Sequence, residues 1–444
     1  MSDPSATAAA IPFKQAFLFW LKLGFISFGG PAGQISIMHE EVVDRQRWVS
    51  ERRFLHALNY CMVLPGPEAQ QLATYIGWLM HGPWGGIVAG GLFILPSLLL
   101  LIGLSWVYIA FGDVSWVAGL LYGIKPAVTA IVVQAAFRIG SRTLKNAWAW
   151  AIAVCAFVAI FALELPFPLI VLGAALVGYI GGQLSPSAFQ TSHGQLPHTD
   201  TETQAIIHDG TVLPHTGFTW RRLAGVISIG LALWLIPLGL FTLCLGFTHT
   251  ATLMGWFFTK AAFLTFGGAY AVLPYVYQGA VENFGWLTGP QMIDGLALGE
   301  TTPGPLIMIV TFVGFVGGYL DGFLGDEFRF LAGVAAALVV TWFTFLPSFV
   351  FILAGAPFVE ATHDEIKLTA PLAGITAAVV GVIGSLALFF ATHIFWPDGL
   401  NGRFDVGSLL IALGAAIALF RFGGNVILVI AGAAFSGLLL TLMP

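Results

Sequence analysis

Along most of the chain the hydrophobic positions do not alternate with polar ones. They run together in blocks long enough to cross about 30 Å of hydrocarbon as helices, for example at 84–110, 115–137, 224–247, 330–354, 369–391 and 405–420. A polar stretch rich in Ser, Thr, His, Pro and Gly at 183–219 separates two such series, one from about Phe13 to Gly182 and one from about Thr252 to Leu442. The pattern predicts an all-α polytopic membrane protein. Composition agrees: 58% of residues are hydrophobic and 9% charged, far below the quarter that a soluble domain carries.

The two series repeat one another. Phe28-Gly29-Gly30 returns as Phe266-Gly267-Gly268, Pro65-Gly66-Pro67 as Pro303-Gly304-Pro305, Lys22 as Lys260 and Trp48 as Trp286, each 238 positions later. Thr74-Tyr75-Ile76-Gly77 matches Thr311-Phe312-Val313-Gly314, Leu95-Pro96-Ser97 matches Leu346-Pro347-Ser348, and Gly173-Ala174-Ala175 matches Gly432-Ala433-Ala434. One membrane unit was duplicated and fused. The expected division is a first repeat over 1–183, a polar linker with an extra transmembrane helix over 184–250, and a second repeat over 251–444.

Each half offers six apolar segments, the first near 13–37, 54–81, 84–110, 115–142, 147–163 and 167–183. Six, one and six crossings make the halves inverted, a recurrent transporter design. Arg45, Arg47, Arg52 and Arg53 in loop 39–53, against no Lys or Arg in 277–291, agree with that under the positive-inside rule. Six crossings, however, put loop 39–53 and the basic patch of Arg138, Arg142 and Lys145 on opposite faces. Making 54–81 re-entrant reunites them but turns the halves parallel. The inverted arrangement is the expectation.

Chemistry is expected at the breaks. Glycine and proline inside a membrane helix free backbone groups that must find partners in protein or in a water-filled cavity, and a restarted helix offers N–H groups and partial positive charge to an anion. Pro67 and Pro305 suit first positions of restarted helices. Lys22 and Lys260 lie mid-segment, where a lysine costs about 2.5 kcal/mol or more unless it snorkels to the interface. With Ser27 and Thr265 as hydroxyl donors, these features predict a small-anion site. It comprises Lys22, Ser27, Gly29, Gly30, Pro31, Pro65, Gly66, Pro67 and Gln70, with Lys260, Thr265, Gly267, Gly268, Thr302, Pro303, Gly304 and Pro305 from the second half. Glu68, Asp294 and Glu300 are candidates for coupling or lysine pairing, with Lys125 and Asn59 as weaker in-membrane polar positions.

Other functions are disfavoured. A net charge of −5 without a basic tract offers nothing to nucleic acid. The start of the chain lacks the pattern of a cleaved signal peptide. Cys61, Cys155 and Cys244, far apart in apolar surroundings, read as small buried hydrophobes. His193, His198, His208 and His215 have no metal-ligand spacing. No P-loop, HExxH or GxSxG is present, so neither ATP drive nor a familiar hydrolase, and no cofactor or metal, is indicated. An enzyme acting on phosphorylated lipid has one candidate cluster, His39, Glu40 and Asp44 in the Arg-rich loop, which reads better as a solvated loop.

FGGPAGQISIMHEEVV (28–43), LPGPEAQQLATYIG (64–77), FGGAYAVLPYVY (266–277) and TPGPLIMIVTFVG (302–314) together resemble the signatures of the chromate ion transporter family, in its long-chain, two-domain type. The resemblance implies multi-pass residence in a bacterial inner membrane, export of chromate that confers resistance, and sulfate as the competing dianion. The glycines and prolines of the four breaks are its signature positions; Pro31 faces Ala269 in the second half, a departure from strict equivalence. The residues by themselves indicate a small-anion carrier, and leave sulfate or another anion, a channel, and a homodimeric assembly as alternatives.

Overall fold

The computed structural model describes residues 11–28, 30–112, 114–184, 205–208, 211, 213–362, 369–399 and 401–442. Among these, helices are the regular structure, apart from one parallel bridge between Val49 and Ile207. The first half contains α1 (Phe13–Ile26), α2 (Gly30–His39, prolonged by a π-helical turn at Glu40–Arg45), α3 (Glu51–Val63), α4 (Glu68–Phe111), α5 (Ser115–Thr143), α6 (Ala147–Phe161) and α7 (Phe167–Leu184). The extra helix α8 spans Trp220–Leu245. The second half contains α9 (Thr250–Leu264), α10 (Ala269–Tyr277, then a π-helical turn at Gln278–Asn283), α11 (Gly289–Thr301), α12 (Ile309–Asp321), α13 (Arg329–Thr362), α14 (Thr369–Phe395), α15 (Val406–Arg421) and α16 (Val426–Leu442).

The repeat holds in atomic detail. The two π-helical turns occupy matching positions, and Trp48 N–H donates to the Val42 carbonyl as Trp286 N–H does to that of Ala280, both at 2.8 Å. Ser50 caps α3 and its counterpart Thr288 caps α11 through side-chain hydrogen bonds, each satisfying an otherwise orphaned amide.

Contacts between helix ends decide the topology. Gln15 at the start of α1 meets Gln46 beyond the end of α2, and His81 in α4 bonds the carbonyl of Ile11. Helix α4 is broken there: His81 leaves helical geometry and Gly82 takes φ 66°, so residues 68–80 form one arm and 83–111 a separate crossing. The arms pass so closely that a Cβ on Gly77 would strike Ala89 and the Gly85 carbonyl. Thus α1–α2 and α3 with the first arm of α4 are two re-entrant hairpins, entering from the face that also holds the linker residues Ile207, Thr211 and His215. The second half repeats this from the opposite face: Gln278 bonds the backbone at Leu165 and Phe167, between α6 and α7, and His249 packs on Phe323.

Each half therefore has two re-entrant hairpins and four crossings, and α8 supplies the single crossing that inverts one half relative to the other. The six-crossing expectation for each half is corrected: 13–37 and 54–81 both re-enter. Because both do so, the parity is unchanged and the halves stay inverted. Loop 39–53 and the Arg142–Lys145 patch now share the linker face, so the conflict in the charge pattern disappears. Among the described residues, six helices are long and apolar enough to cross a membrane and four more are shorter apolar helices.

Two smaller expectations also change. Cys61 is buried, but Cys155 and Cys244 are exposed on the outer faces of α6 and α8; in a bilayer that surface is itself an apolar environment, so a thiol needs no burial. Pro67 and Pro305 stand one position before the restarted helices, as caps in extended conformation. His193 and His198 lie outside the described residues.

Candidate functional site

The four breaks meet. The amide of Gly66 donates to the carbonyl of Thr265 at 2.7 Å, and the amide of Gly304 donates to the carbonyl of Ser27 at 2.8 Å. Each Pro-Gly-Pro thus closes on the helix end just ahead of the other half's Phe-Gly-Gly. The expectation that these restart amides lie free for an anion is corrected for Gly66 and Gly304: they tie the halves together. Gln34 reinforces the junction from one side only, donating to the carbonyls of Gly304 at 2.6 Å and Ser27 at 3.3 Å; its counterpart, Val272, has no such group.

The glycines fall into two kinds. Gly66 and Gly304 have φ 130° and 100° and are tightly packed; a side chain on Gly66 would fall on Ser348 Oγ and Gln71 Nε2, and one on Gly304 on Ser97. Ser97 and Ser348 are themselves repeat counterparts. Gly30, Gly267 and Gly268 have φ 72°, 76° and 100°; among the described residues a Cβ on Gly268 would meet nothing within 4 Å, one on Gly267 only Thr376, and one on Gly30 only a guanidinium nitrogen of Arg138. The Pro-Gly-Pro breaks lock the junction, and the Phe-Gly-Gly breaks leave room for a side chain at Gly30, Gly267 and Gly268. Gly29 lies outside the described residues.

The junction is polar yet under-satisfied. The hydroxyls of Ser27, Ser97 and Ser348 are buried without a hydrogen-bond partner among the described residues, as are the Oε1 atoms of Gln34, Gln70 and Gln71. A buried hydroxyl left unpaired costs about 1–3 kcal/mol, so the cluster fits water or a polar ligand. Thr265 and Thr302 bond the carbonyls of Ala261 and Gly299 in their own helices. Pro65 and Pro31 are half-buried and Pro303 is buried at the same breaks.

The lysines go elsewhere. Lys22 and Lys260 stand on exposed faces of α1 and α9, and no hydrogen bond or ion pair joins either to the junction among the described residues. Lys260 lies 5.8 Å from the ring centre of Trp256, the arrangement of a snorkelling side chain. Of the acidic candidates, Glu68 opens α4 beside the first break. Asp294 pairs with Lys125 Nζ at 2.9 Å and accepts from Tyr108 at 2.9 Å. Glu300 accepts from Tyr270 at 2.6 Å.

Carboxylates also tie the halves together on each face, Asp405 to Tyr122 among them. On the linker face, Glu360 at the end of α13 accepts from Tyr75 at 2.7 Å and faces Arg53 at 3.5 Å. On the opposite face, Asp294 of α11 is held by Lys125 of α5 and Tyr108 near the end of α4. Sequence reading missed Glu360 and Gln34, whose partners lie hundreds of residues away. Ser97 and Ser348 were visible only as repeat landmarks.

An inverted pair of repeats with broken helices meeting at one internal junction is a design that recurs among membrane transporters. The chromate transporter pattern matches residues 14–179 and 252–438, and the chain belongs to that family. It is 34% identical over 401 residues to a chromate transport protein of Pseudomonas aeruginosa, covering 87% of this chain and 84% of the relative. Against a chromate transport protein of Cupriavidus metallidurans it is 26% identical over 436 residues, 97% of this chain and 94% of the other. An uncharacterized transporter of Bacillus subtilis matches 34% of this chain, at 27% identity over 150 residues, and 76% of its own length, the span of one repeat. No solved structure matches the chain significantly.

Proposed function

We propose that this protein is a secondary carrier of a bacterial inner membrane that exports chromate by alternating access and thereby confers chromate resistance, with sulfate as the competing dianion. The observation that carries the reading is the convergence of all four breaks on one junction holding unpartnered serine hydroxyls, in a chain of the chromate transporter family. Hydroxyls at the junction donate to the oxyanion, and the Phe-Gly-Gly breaks line its path. Lys22 and Lys260 act at the membrane interface and not on the substrate. The chemistry is transport and not catalysis.

Two ties on opposite faces suit alternating access. Opening the Glu360–Arg53–Tyr75 tie exposes the junction to the linker face, and opening the Asp294–Lys125–Tyr108 tie exposes it to the other. Export runs downhill electrically: a dianion leaving an inside-negative cell gains about 4.6 kcal/mol per 100 mV, enough for roughly a thousandfold gradient. Glu68 and Glu300 are the remaining groups for proton coupling.

The test is flux of chromate and sulfate in proteoliposomes with an imposed potential and no pH gradient. Saturable chromate flux that follows the potential and is inhibited by sulfate supports the reading. Flux only under a pH gradient would replace potential drive with proton coupling, and sulfate flux without chromate flux would make it a sulfate carrier of the same build.

A further inference from the structure

Arg138 stands on α5 beside the first Phe-Gly-Gly. One of its guanidinium nitrogens is 3.9 Å from where a side chain on Gly30 would begin, at the N-terminal end of α2. On its other side it is in electrostatic reach of Glu300 and Tyr270, which are joined by their own hydrogen bond. Unlike Arg53 and Lys125, each tied to a carboxylate, Arg138 has no hydrogen bond or ion pair to its guanidinium among the described residues. The side chain is exposed. In the second half the register that matches Gly123-Ile124 to Gly374-Ile375 puts Phe389 in its place, so the cation occurs once.

Resting on the oxyanion-carrier reading, we infer that Arg138 is the cation that engages the transported oxyanion, and that Glu300, fixed by Tyr270, is the competing anion that biases Arg138 without pairing with it. An exposed arginine next to a break inside the membrane costs too much against lipid, so the space it faces holds water. Gly30 borders that space. The guanidinium and the positive end of α2 repel one another until an anion lies between them. A guanidinium fork matches two oxygens of a tetrahedral oxyanion better than an ammonium does. The carboxylate of Glu300 is close enough to bias the arginine but does not pair with it, which leaves the fork available.

The experiment is equilibrium binding of chromate, and separately of sulfate, to the purified full-length protein, its Arg138→Gln, Arg138→Lys and Glu300→Gln variants, with thermal stability measured on each. Loss of a charged hydrogen-bond partner weakens binding roughly 10- to 100-fold, the result expected for Arg138→Gln, with Arg138→Lys between it and the unmodified protein. Glu300→Gln tightens binding, because the competing anion is gone; a merely structural cluster would weaken in every variant. Unchanged affinity in Arg138→Gln, or weakening in a stably folded Glu300→Gln, overturns the inference while leaving the carrier reading intact. Failure of the unmodified protein to bind either ion overturns the carrier reading and this inference together.

Discussion

Gly66 and Thr265, 199 positions apart in the chain, are joined by a 2.7 Å backbone hydrogen bond whose repeat counterpart joins Gly304 to Ser27 at 2.8 Å. Two re-entrant hairpins, one from each face, are thus stitched tip to tip at the centre of the protein. Broken helices leave backbone groups that lipid cannot satisfy, and here each half satisfies the other. Neither half can keep this junction without its partner.

The stitch predicts that Gly66→Ala and Gly304→Ala are severe, whereas Ser27→Ala, which keeps its carbonyl, folds normally. Alanine at a left-handed φ costs about 1–2 kcal/mol, and its Cβ would also strike Ser348 or Ser97. Adding Ser348→Gly to Gly66→Ala removes the clash with Ser348 but neither that with Gln71 nor the φ strain, so it restores part of the lost stability. Thermal unfolding of the purified proteins reads all four. A Gly66→Ala protein as stable as the parent would remove the junction's structural role.

The two carboxylate ties predict opposite biases. Glu360→Gln with Arg53→Gln avoids an uncompensated buried charge and loosens the linker face. Asp294→Asn with Lys125→Gln does the same on the other face. With the native cysteines replaced and a cysteine placed at Ser27, the first pair raises labelling by a membrane-impermeant thiol reagent from the linker side, and the second from the opposite side. Labelling from one side only in both variants would show that the ties do not alternate.

Duplication, helical class and inversion were legible because each leaves a periodic or countable mark in the sequence. Re-entry was only half legible: the charge pattern raises it for 54–81 without deciding it, because the turn at Pro65-Gly66-Pro67 looks like a kink, and nothing in the sequence marks it for 13–37. The fold-back at Gly82 depends on contacts such as Gly77 with Ala89, which hydropathy does not record. The break motifs were right as positions, but the pairing of Gly66 with Thr265 has no local signal. Lys22 drew attention as a buried charge, and it turned out exposed because one face of α1 lies on the protein's surface. Arg138 was read as part of a loop patch, since only folding brings Gly30 and Glu300 to it.

The described end of the linker is docked, and its docking is predicted to depend on pH. Ile206 and Ile207 donate to the carbonyls of Arg47 and Trp48 at 2.9 Å, Arg53 reaches the Thr211 carbonyl, and His215 packs edge-on against Trp78. Burial, followed by the nearby Arg222 and His81, holds the His215 imidazole below its ordinary pKa, against an opposing pull from the backbone of Trp78 and Leu79. A histidine with a depressed folded-state pKa contributes stability above its ordinary value and loses it as pH falls through the folded one. Hydrogen exchange over 205–217 therefore speeds up as pH drops below about 6.5, after correction for intrinsic rates. His215→Phe keeps the aromatic contact and abolishes this step. An equal step in the variant would assign it to another group.

Charge asymmetry predicts the orientation in the membrane. The linker face carries Arg45, Arg47, Arg52, Arg53, Arg142, Lys145, Arg221, Arg222 and Arg421 at helix ends and loops, whereas the opposite face carries Arg329 and Arg403 among the described residues. Short basic loops stay in the cytoplasm, so the linker face is predicted to be cytoplasmic. In a cysteine-free background, single cysteines at Arg47 and Lys145 are then labelled only from the cytoplasmic side, and those at Glu282 and Asp326 only from outside. The Arg47 and Lys145 pair is the sharp part of the test, because six crossings per half would put these two positions on opposite sides. Labelling of Arg47→Cys from outside and Lys145→Cys from inside would mean that the hairpins cross the bilayer after all, and the junction between their tips would go with them.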